Sequence, residues 1–210
     1  MTKILFLIPP SEWKNLENKY EKENLHFVFD RPIYISQNAT EKDLKCTWKR
    51  YLEAIKLNNQ IWKSKSIEAI NRYSWVMYNS IDFQSMSQKA KLYFQDNFMI
   101  LSWLYGLVKP MDNISNYKLP VETKWIYEFW WDTIFKEINN MKIDYVVNLL
   151  PNSYYKMLFW KTKNLEKQNL QNMNFSLINI NFLKEDWKKI SHWVKKIKGE
   201  WIKDICEKNT

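Results

Sequence analysis

The sequence predicts a single mixed α/β domain over residues 1–210, in which helices flank a central mixed sheet. Its 210 residues are enough to bury one ordinary hydrophobic core. Hydrophobic residues make up 46% of the chain and charged residues 26%, which is the range of globular proteins. Short apolar runs typical of buried strands alternate with segments of helical periodicity, and no linker or repeat separates them.

Continuous apolar runs predict buried strands at residues 3–8, 98–101 and 145–149. Pro9 and Pro10 end the first run, because proline cannot continue a central strand. Alternation of apolar and polar residues predicts a further strand at 175–183, with 188–191 pairing back against it. Weaker strand patterns occupy residues 26–29 and 76–78.

Apolar residues at helical spacing predict helices at 44–61, 66–73, 87–96, 123–139 and 191–207, with a shorter one starting at 152 or 153. Thr40 to Asp43 resembles the N-terminus of the first helix, which we expect to be interrupted near Trp48. The last helix is rich in lysine, so it presents a basic face.

The net charge of +9 favours a polyanionic partner such as nucleic acid, a nucleotide or an anionic membrane. Lysine-rich chains also arise from AT-rich coding, in which case the lysines are simply solvated. No apolar run approaches the roughly 20 residues of a membrane span. The apolar N-terminal run lacks a small-residue cleavage site, so we interpret it as a strand of a cytoplasmic protein rather than as a signal peptide.

The two cysteines and two histidines are too few for a disulfide framework or a Cys/His zinc site. No histidine–carboxylate triad with recognisable spacing suggests an iron site. A Ser–His or Cys–His hydrolase is allowed by the counts, but no nucleophile-elbow motif frames a serine. We therefore expect no metal and no cofactor.

The chain has only two glycines but twelve tryptophans. Average usage predicts about 15 glycines in this length. Trp187 follows Asp186 where a tight hairpin requires positive φ, and Trp75 and Trp103 lie beside predicted strands. Trp131 comes directly after Trp130 near the start of a helix. Such turn and close-approach positions favour glycine.

Six segments in order resemble the YaaA family, the peroxide stress proteins: PPSEWK (9–14), INRYSWVMY (70–78), ILSWLYGLVKPMD (100–112), YEFWWD (127–132), VVNLLPNSYY (146–155) and ISHWVKKIKGE (190–200). In the same order the family has PPSEGK or SPAKT, RYxGxxY, LSGLYGxLRPxD, FWGD, INLASxEY and a KKxRG-type motif. The resemblance covers nearly the whole chain. The family usually continues past its basic helix with a further strand segment, which we expect this chain to lack.

Family glycines correspond to Trp13, Trp75, Trp103 and Trp131, whereas Trp130 matches the family's own tryptophan. Our hypothesis is that the chain is a conceptual translation in which UGA codons that encode glycine were translated as tryptophan. Trp48 and Trp193 are further candidates, and Trp62, Trp125 and Trp160 are undecided. The alternative is true replacement of glycine by tryptophan, which at tight sites costs about 1–3 kcal/mol each by overpacking.

The resemblance implies a YaaA-like fold with a helix-hairpin-helix-like element and a cytosolic role in the peroxide stress response that lowers free iron. It also implies DNA binding through a basic cleft without base readout, by a monomer that does not enter membranes. The implied DNA- or phosphate-binding residues are Lys14, Arg72, Ser102, Trp103, Gly106, Lys109, Lys118, Lys195, Lys196 and Lys198. Lys109 and Lys198 replace family arginines, so bidentate contacts to phosphate are lost there.

The motif residues without an assigned contact are Ser11, Glu12, Tyr73, Tyr105, Asp112, Trp130, Asp132, Asn148, Tyr154 and Gly199. The tyrosines among them could stack on bases or belong to the core, and the aspartates could cap or brace loops. Many polar groups follow predicted strands, where α/β proteins place ligand sites. An enzyme acting on a phosphorylated or nucleotide small molecule is therefore the alternative function.

Overall fold

The computed structural model describes residues 2–120, 122–130, 132–158, 172–183 and 193–209, apart from the Trp62 side chain. Its strands are β1 (Ile4–Ile8), β2 (Ser66–Glu68), β3 (Phe98–Ser102), β4 (Gly106–Val108), β5 (Asn113–Ser115), β6 (Tyr145–Asn148) and β7 (Ser176–Asn179). Five of them form one sheet in the order β4-β3-β1-β6-β7, and β2 pairs with β5 in a second sheet. The predicted mixed sheet is confirmed.

The helices are α1 (Ile33–Gln37), α2 (Trp48–Asn59), α3 (Ala69–Arg72), α4 (Val76–Ile81), α5 (Gln88–Asn97), α6 (Ile126–Trp130), α7 (Thr133–Asn140), α8 (Asn152–Leu158) and α9 (Val194–Lys208). Single 3-10 turns occupy Ile61–Lys63 and Phe83–Ser85. Ser87 caps α5, because its Oγ accepts the Ala90 N–H at 3.2 Å. The Glu207 carboxylate accepts the N–H and hydroxyl of Ser87 and so ties α9 to this helix start.

Strand β1 lies in the middle of the main sheet and runs parallel to both β3 and β6. Phe6 lies opposite Phe98 on one side and Val147 on the other, and these residues are buried. Strand β7 is parallel to β6, and only β4 is antiparallel, against β3. Helices cover a parallel sheet on both faces, which is why its strands are continuous apolar runs in the sequence.

The turn between β3 and β4 is held from inside by Ser102, which lies opposite Gly106. Its Oγ accepts the N–H groups of Leu104 at 3.3 Å and Tyr105 at 3.2 Å. Gly106 has φ of 74°, and a Cβ there would lie 2.9 Å from the Phe29 ring. The turn therefore joins two strands, and the helix-hairpin-helix-like element stays a prediction.

Four local predictions differ from the structure. Residues 66–73 form strand β2 followed by α3, because residues 66–68 pair with β5. Residues 76–78 begin helix α4, whose buried face is Met77, Tyr78 and Ile81. Residues 123–139 form two helices, α6 and α7, and residues 26–29 form no strand. Residues 188–191 lie outside the described part of the chain.

Helix α9 packs closely on α4 at Gly199. A Cβ at this position would lie 2.4 Å from the Met77 carbonyl oxygen and 2.6 Å from Ser80 Cβ. The two backbones therefore approach to a distance that only glycine permits. Close packing of α9 on α4 therefore explains why residue 199 is glycine. The lysines around it in the sequence did not indicate this role.

Among the described residues, tryptophans occupy backbone conformations that favour glycine at three positions. The φ values are 42° at Trp48, 81° at Trp75 and 69° at Trp125. This supports the glycine hypothesis at these residues. Trp103 is fully buried and is not among the positive-φ residues, so its turn geometry does not require glycine. Trp131 and Trp187 lie outside the described residues.

Candidate functional site

The candidate site lies where β1, β3 and β6 end. Strand β1 leads to Ser11, Glu12 and Lys14, β3 leads to Trp103, and β6 leads to α8 with Tyr154. The connection from β1 leads towards β3, whereas the connection from β6 leads to β7 on the other side. Open α/β sheets bind ligands at such a switch point, outside the carboxyl ends of the strands.

A small cavity of about 10 Å³, room for roughly one water molecule, lies at this edge. Its walls combine two lysines and a carboxylate with aromatic rings and prolines. The lining residues are Pro10, Ser11, Glu12, Lys14, Trp103, Tyr117, Lys118, Leu119, Pro120 and Tyr154. Half of the lining residues that the sequence nominated come from the first family motif, and the other half come from three distant segments.

Lys14 is positioned by pairing between its loop and the segment after α3. Its backbone bridges that of Tyr73, and the Asn15 N–H donates to the Arg72 carbonyl at 2.8 Å. The Nζ atom lies 4.2 Å from the centre of the Tyr117 ring and 3.4 Å from the Glu12 carbonyl oxygen. The side chain thus lies across an aromatic face and stays partly exposed.

Burial lowers the pKa of Lys14 to about 7, and the positive charge of Lys118 adds to this effect. The Glu12 carboxylate opposes the change and Arg72 supports it. Among the described residues, Lys14 forms no ion pair with a carboxylate. A large fraction of this lysine is therefore a neutral amine at pH 7.

A chain of buried hydroxyl groups lies beside this amine. The Tyr117 hydroxyl is 3.0 Å from that of Tyr73 and 2.8 Å from Ser102 Oγ. Burial raises the pKa of Tyr117 to about 12 and that of Tyr73 well above its ordinary value. The hydroxyl groups therefore stay protonated and can donate hydrogen bonds along the chain.

Trp103 fills one wall of the pocket. Its ring packs on Tyr154 at 4.6 Å and on Tyr127 at 5.2 Å, and its carbonyl accepts the Trp130 indole N–H at 2.7 Å. Its own indole N–H is buried and has no hydrogen-bond partner of normal geometry among the described residues. It lies close to Tyr154, whose pKa is raised by burial, and this N–H opposes that rise.

Arg72 lies in the interior, where it holds the loop that follows Lys14. Its guanidinium donates to the carbonyl oxygens of Asn15 and Glu17 and to Asn18 Oδ1. Its donors are thus engaged by the protein itself. Ser102 and Gly106, which were also nominated for phosphate, are likewise buried in the β3–β4 turn.

Several other nominated residues brace loops or strands. Asp112 is buried and accepts the N–H groups of Lys109 at 2.9 Å and His26 at 3.1 Å. Tyr105 donates its hydroxyl to Glu23, and Asp132 pairs with Lys136 at the start of α7. These contacts hold loops and strands in place, which is one of the roles that the sequence allowed for these residues.

The carboxyl end of β6 is held by Asn148 and Lys198. Asn148 donates to Asn179 Oδ1 at 2.7 Å and accepts the Leu150 N–H at 3.0 Å. Lys198 donates to the Leu149 carbonyl, and burial lowers the pKa of this lysine to about 8. The start of α9 therefore lies close to the same sheet edge as the pocket.

Lys195 and Lys196 remain exposed on the first turn of α9. Lys196 lies 3.6 Å from Glu200, and Trp193 at the helix start makes no side-chain cap. Two positive charges thus lie near the N-terminus of α9, where no side-chain cap is found among the described residues. Lys118 is only partly exposed, because Asn58 binds both its N–H and its carbonyl oxygen.

A family model described as peroxide stress protein YaaA matches residues 4–210. The chain belongs to the YaaA family. A UPF0246 protein of Fusobacterium nucleatum is 27% identical over 220 residues, which cover 95% of this chain and 83% of that protein. The corresponding protein of Shewanella piezotolerans is 29% identical over 238 residues, or 98% and 87% of the two chains.

A UPF0246 protein of Finegoldia magna is 28% identical over 146 residues. That match covers 65% of this chain but only 59% of the relative, so it spans about three fifths of the relative's length. The resemblance inferred from the six motifs is therefore confirmed at the level of the YaaA family.

The fold brings the first YaaA motif together with one residue each from the third and fifth. Ser11, Glu12 and Lys14 share the pocket with Trp103 and Tyr154, whereas Lys109 and Gly106 are not among its lining residues. The motifs did not nominate Tyr117. Tyr117 follows β5, a three-residue strand that the sequence did not predict.

The described residues contain no group of three or more His, Cys, Asp or Glu side chains that could hold a metal ion. Over the same part of this YaaA-family chain, no helix is long and apolar enough to cross a membrane.

Proposed function

We propose that this YaaA-family protein acts in the cytoplasm in the peroxide stress response and binds DNA without reading its sequence. The observation that carries the proposal is the exposed pair Lys195 and Lys196 on an uncapped helix start beside the carboxyl edge of the sheet. A helix start and nearby lysines both attract phosphate. Radicals formed from peroxide and iron attack DNA, so a protein that covers the backbone would limit that damage.

The chemistry of these lysines favours backbone contacts. Lysine acts as a point charge that attracts phosphate and lacks the planar fork with which arginine binds two acceptors at once. Arg72 is buried and engaged by its own loop. The protein would therefore bind duplexes of different sequence with similar affinity, as a monomer that contacts phosphate groups.

The test is a salt titration of binding to two duplexes of unrelated sequence. For the Lys195→Ala/Lys196→Ala variant, the slope of log K against log salt should become shallower by about 1.8, because each lost phosphate contact removes about 0.9. The matched control is Lys3→Ala/Lys142→Ala, which removes two exposed lysines at the opposite, amino edge of the sheet. Equal slopes for the two double variants would exclude the α9 interface.

A second candidate function is an enzyme acting on a phosphorylated or nucleotide small molecule. The pocket at the switch point favours it, because Lys14 and Lys118 both line a partly enclosed space. Inorganic phosphate or a nucleotide should then raise the melting temperature of the wild type but not that of Lys118→Met. Equal shifts in the two proteins would place the anion elsewhere.

A further inference from the structure

We propose that a groove lined by carboxamides, between α3 and α4, binds an adenine base carried by a free nucleoside or by an unpaired nucleotide of a nucleic acid. The groove has a volume of about 460 Å³, which is in the range of small-molecule sites. Its lining residues are Asn15, Ile70, Asn71, Tyr73, Ser74, Tyr78, Asn79, Asp82, Phe83 and Gln84. None of these lines the cavity beside Lys14, so the inference goes beyond both candidate functions.

The walls of the groove are rich in side-chain amides. The carboxamides belong to Asn15, Asn71, Asn79 and Gln84. Each carboxamide carries a hydrogen-bond donor and an acceptor side by side. Adenine presents the complementary pair on its edge, an amino group next to a ring nitrogen, and Asn and Gln side chains bind it through two hydrogen bonds.

A chain of hydrogen bonds fixes the Gln84 carboxamide, although this side chain is exposed. Its Nε2 donates to Asn71 Oδ1 at 2.9 Å, and Asn71 Nδ2 donates to Glu68 Oε2 at 3.1 Å. Glu68 is buried, so the chain is anchored in the interior. Gln84 Oε1 and the Asn79 carboxamide form no hydrogen bond with other described residues, which leaves them open to a ligand. An acceptor held at Gln84 suits the amino group of adenine.

The groove has no net charge, although the whole chain carries +9. Among the described residues that line it, only Asp82 is charged. The Asp82 carboxylate accepts a hydrogen bond from Lys203 Nζ at 2.8 Å, so its charge is balanced by α9. The part of a ligand that enters the groove is therefore uncharged, as a base is, and any phosphate group stays outside.

The floor of the groove is aromatic. It consists of the small exposed parts of Tyr73, Tyr78 and Phe83. The Tyr73 hydroxyl is bound to that of Tyr117 at 3.0 Å, and the Tyr78 hydroxyl donates to the Pro9 carbonyl at 2.9 Å. Both tyrosines thus offer ring carbon rather than hydroxyl groups to a ligand. An aromatic floor between carboxamide walls matches a base, which has apolar faces and a polar edge.

The test is calorimetric titration of the whole chain with adenosine up to about 1 mM, at which even a site with a Kd near 1 mM is half occupied. Adenosine should bind to the wild type. Inosine has a carbonyl oxygen in place of the amino group, so it should bind at least about tenfold more weakly. No binding of adenosine, or equal affinity for the two nucleosides, would overturn the proposal.

Two double variants locate the binding. Asn79→Leu/Gln84→Leu should weaken adenosine binding at least about tenfold, because it removes both open carboxamides. The matched control is Asn59→Leu/Gln88→Leu, which changes exposed amides outside the lining set and should bind adenosine like the wild type. Equal losses in the two double variants would exclude the groove. Lys195→Ala/Lys196→Ala should bind adenosine normally, which separates this site from DNA binding by α9.

Competition with adenosine identifies the source of the base. A single strand of deoxyadenosine nucleotides that displaces adenosine, while a fully paired duplex does not, would assign the groove to unpaired nucleotides. If neither competes, the ligand is the free nucleoside.

Discussion

Replacing Trp75 by glycine should stabilise the protein, although the change removes a large aromatic side chain. Trp75 precedes α4 with φ of 81° and ψ of −177°. This backbone region is almost restricted to glycine, and an L-residue held there costs about 1–3 kcal/mol. Because this combination of angles is the least tolerated for side chains, we expect a cost in the upper half of that range.

Two effects oppose the gain. Glycine increases the entropy of the unfolded chain, which costs about 0.5–1 kcal/mol. The ring of Trp75 also packs edge-on against Trp13 at 4.7 Å, but both rings are about half exposed. An aromatic pair contributes about 0.5–1.5 kcal/mol, and an exposed pair lies at the lower end. The net result for Trp75→Gly is a stabilisation of about 1 kcal/mol, which in a chain of this size raises the melting temperature by about 2–4 °C.

The assay is urea unfolding followed by far-UV circular dichroism, in which the midpoint should rise without a change in slope. Trp193→Gly is the matched control, because Trp193 also precedes a helix and is exposed, but its φ is −103°. That variant keeps the entropic cost of glycine and relieves no strain, so it should be less stable than the wild type. If Trp75→Gly loses as much stability as Trp193→Gly, the strain argument is wrong.

Four further outcomes are expected. Sequencing of the gene should find UGA codons at the positive-φ tryptophans, and UGG there would exclude the recoding hypothesis. Glu68→Gln should lower the free energy of unfolding at pH 7 by about 1–3 kcal/mol. Burial alone would raise the pKa of Glu68, but its hydrogen bonds outweigh this effect and bring the pKa to about 2. The stability that the ionised Glu68 contributes is therefore present above pH 4.5 and is lost as the pH falls towards 2. Urea titrations at different pH values should show this loss only in the wild type. Gly199→Ala should cost about 1–3 kcal/mol in the same assay, because its Cβ would meet the Met77 carbonyl, whereas Lys195→Ala should be nearly neutral. The free energy of unfolding should rise between pH 7 and 10, because Lys14 has released its proton in the folded state and still holds it in the unfolded chain. Lys14→Met should reduce this rise by up to about 1.4 kcal/mol per pH unit.

The main sheet could largely be predicted from the sequence. Strands β1, β3 and β6 are buried on both faces, so each is a continuous apolar run that stands out locally. Strands β2 and β5 could not be predicted, because each has three residues and exists through pairing with the other. Helix α4 was expected to be a strand, since its first three residues favour extended structure, but burial of Ile81 and the approach of α9 select the helix.

The site was predicted in part. The motif that contains Ser11, Glu12 and Lys14 does line the pocket, as its position after a buried strand suggested. Arg72 was expected to contact phosphate, but its donors hold the loop next to Lys14. Tyr117 was not nominated, because its hydroxyl meets Tyr73 and Ser102 only after β5 brings distant segments together.

By itself, the sequence determined the family, the fold class and the buried strands, and it identified Trp75 as a position whose backbone favours glycine. These properties depend on local patterns and on ordered motifs, which are visible without coordinates. Only the tertiary structure decided that Lys14 lies over Tyr117 beside Lys118, where burial lowers its pKa to about 7. The protonation of a lysine depends on the water and the charges around its Nζ, and here the fold brings those neighbours from about a hundred residues away in the chain.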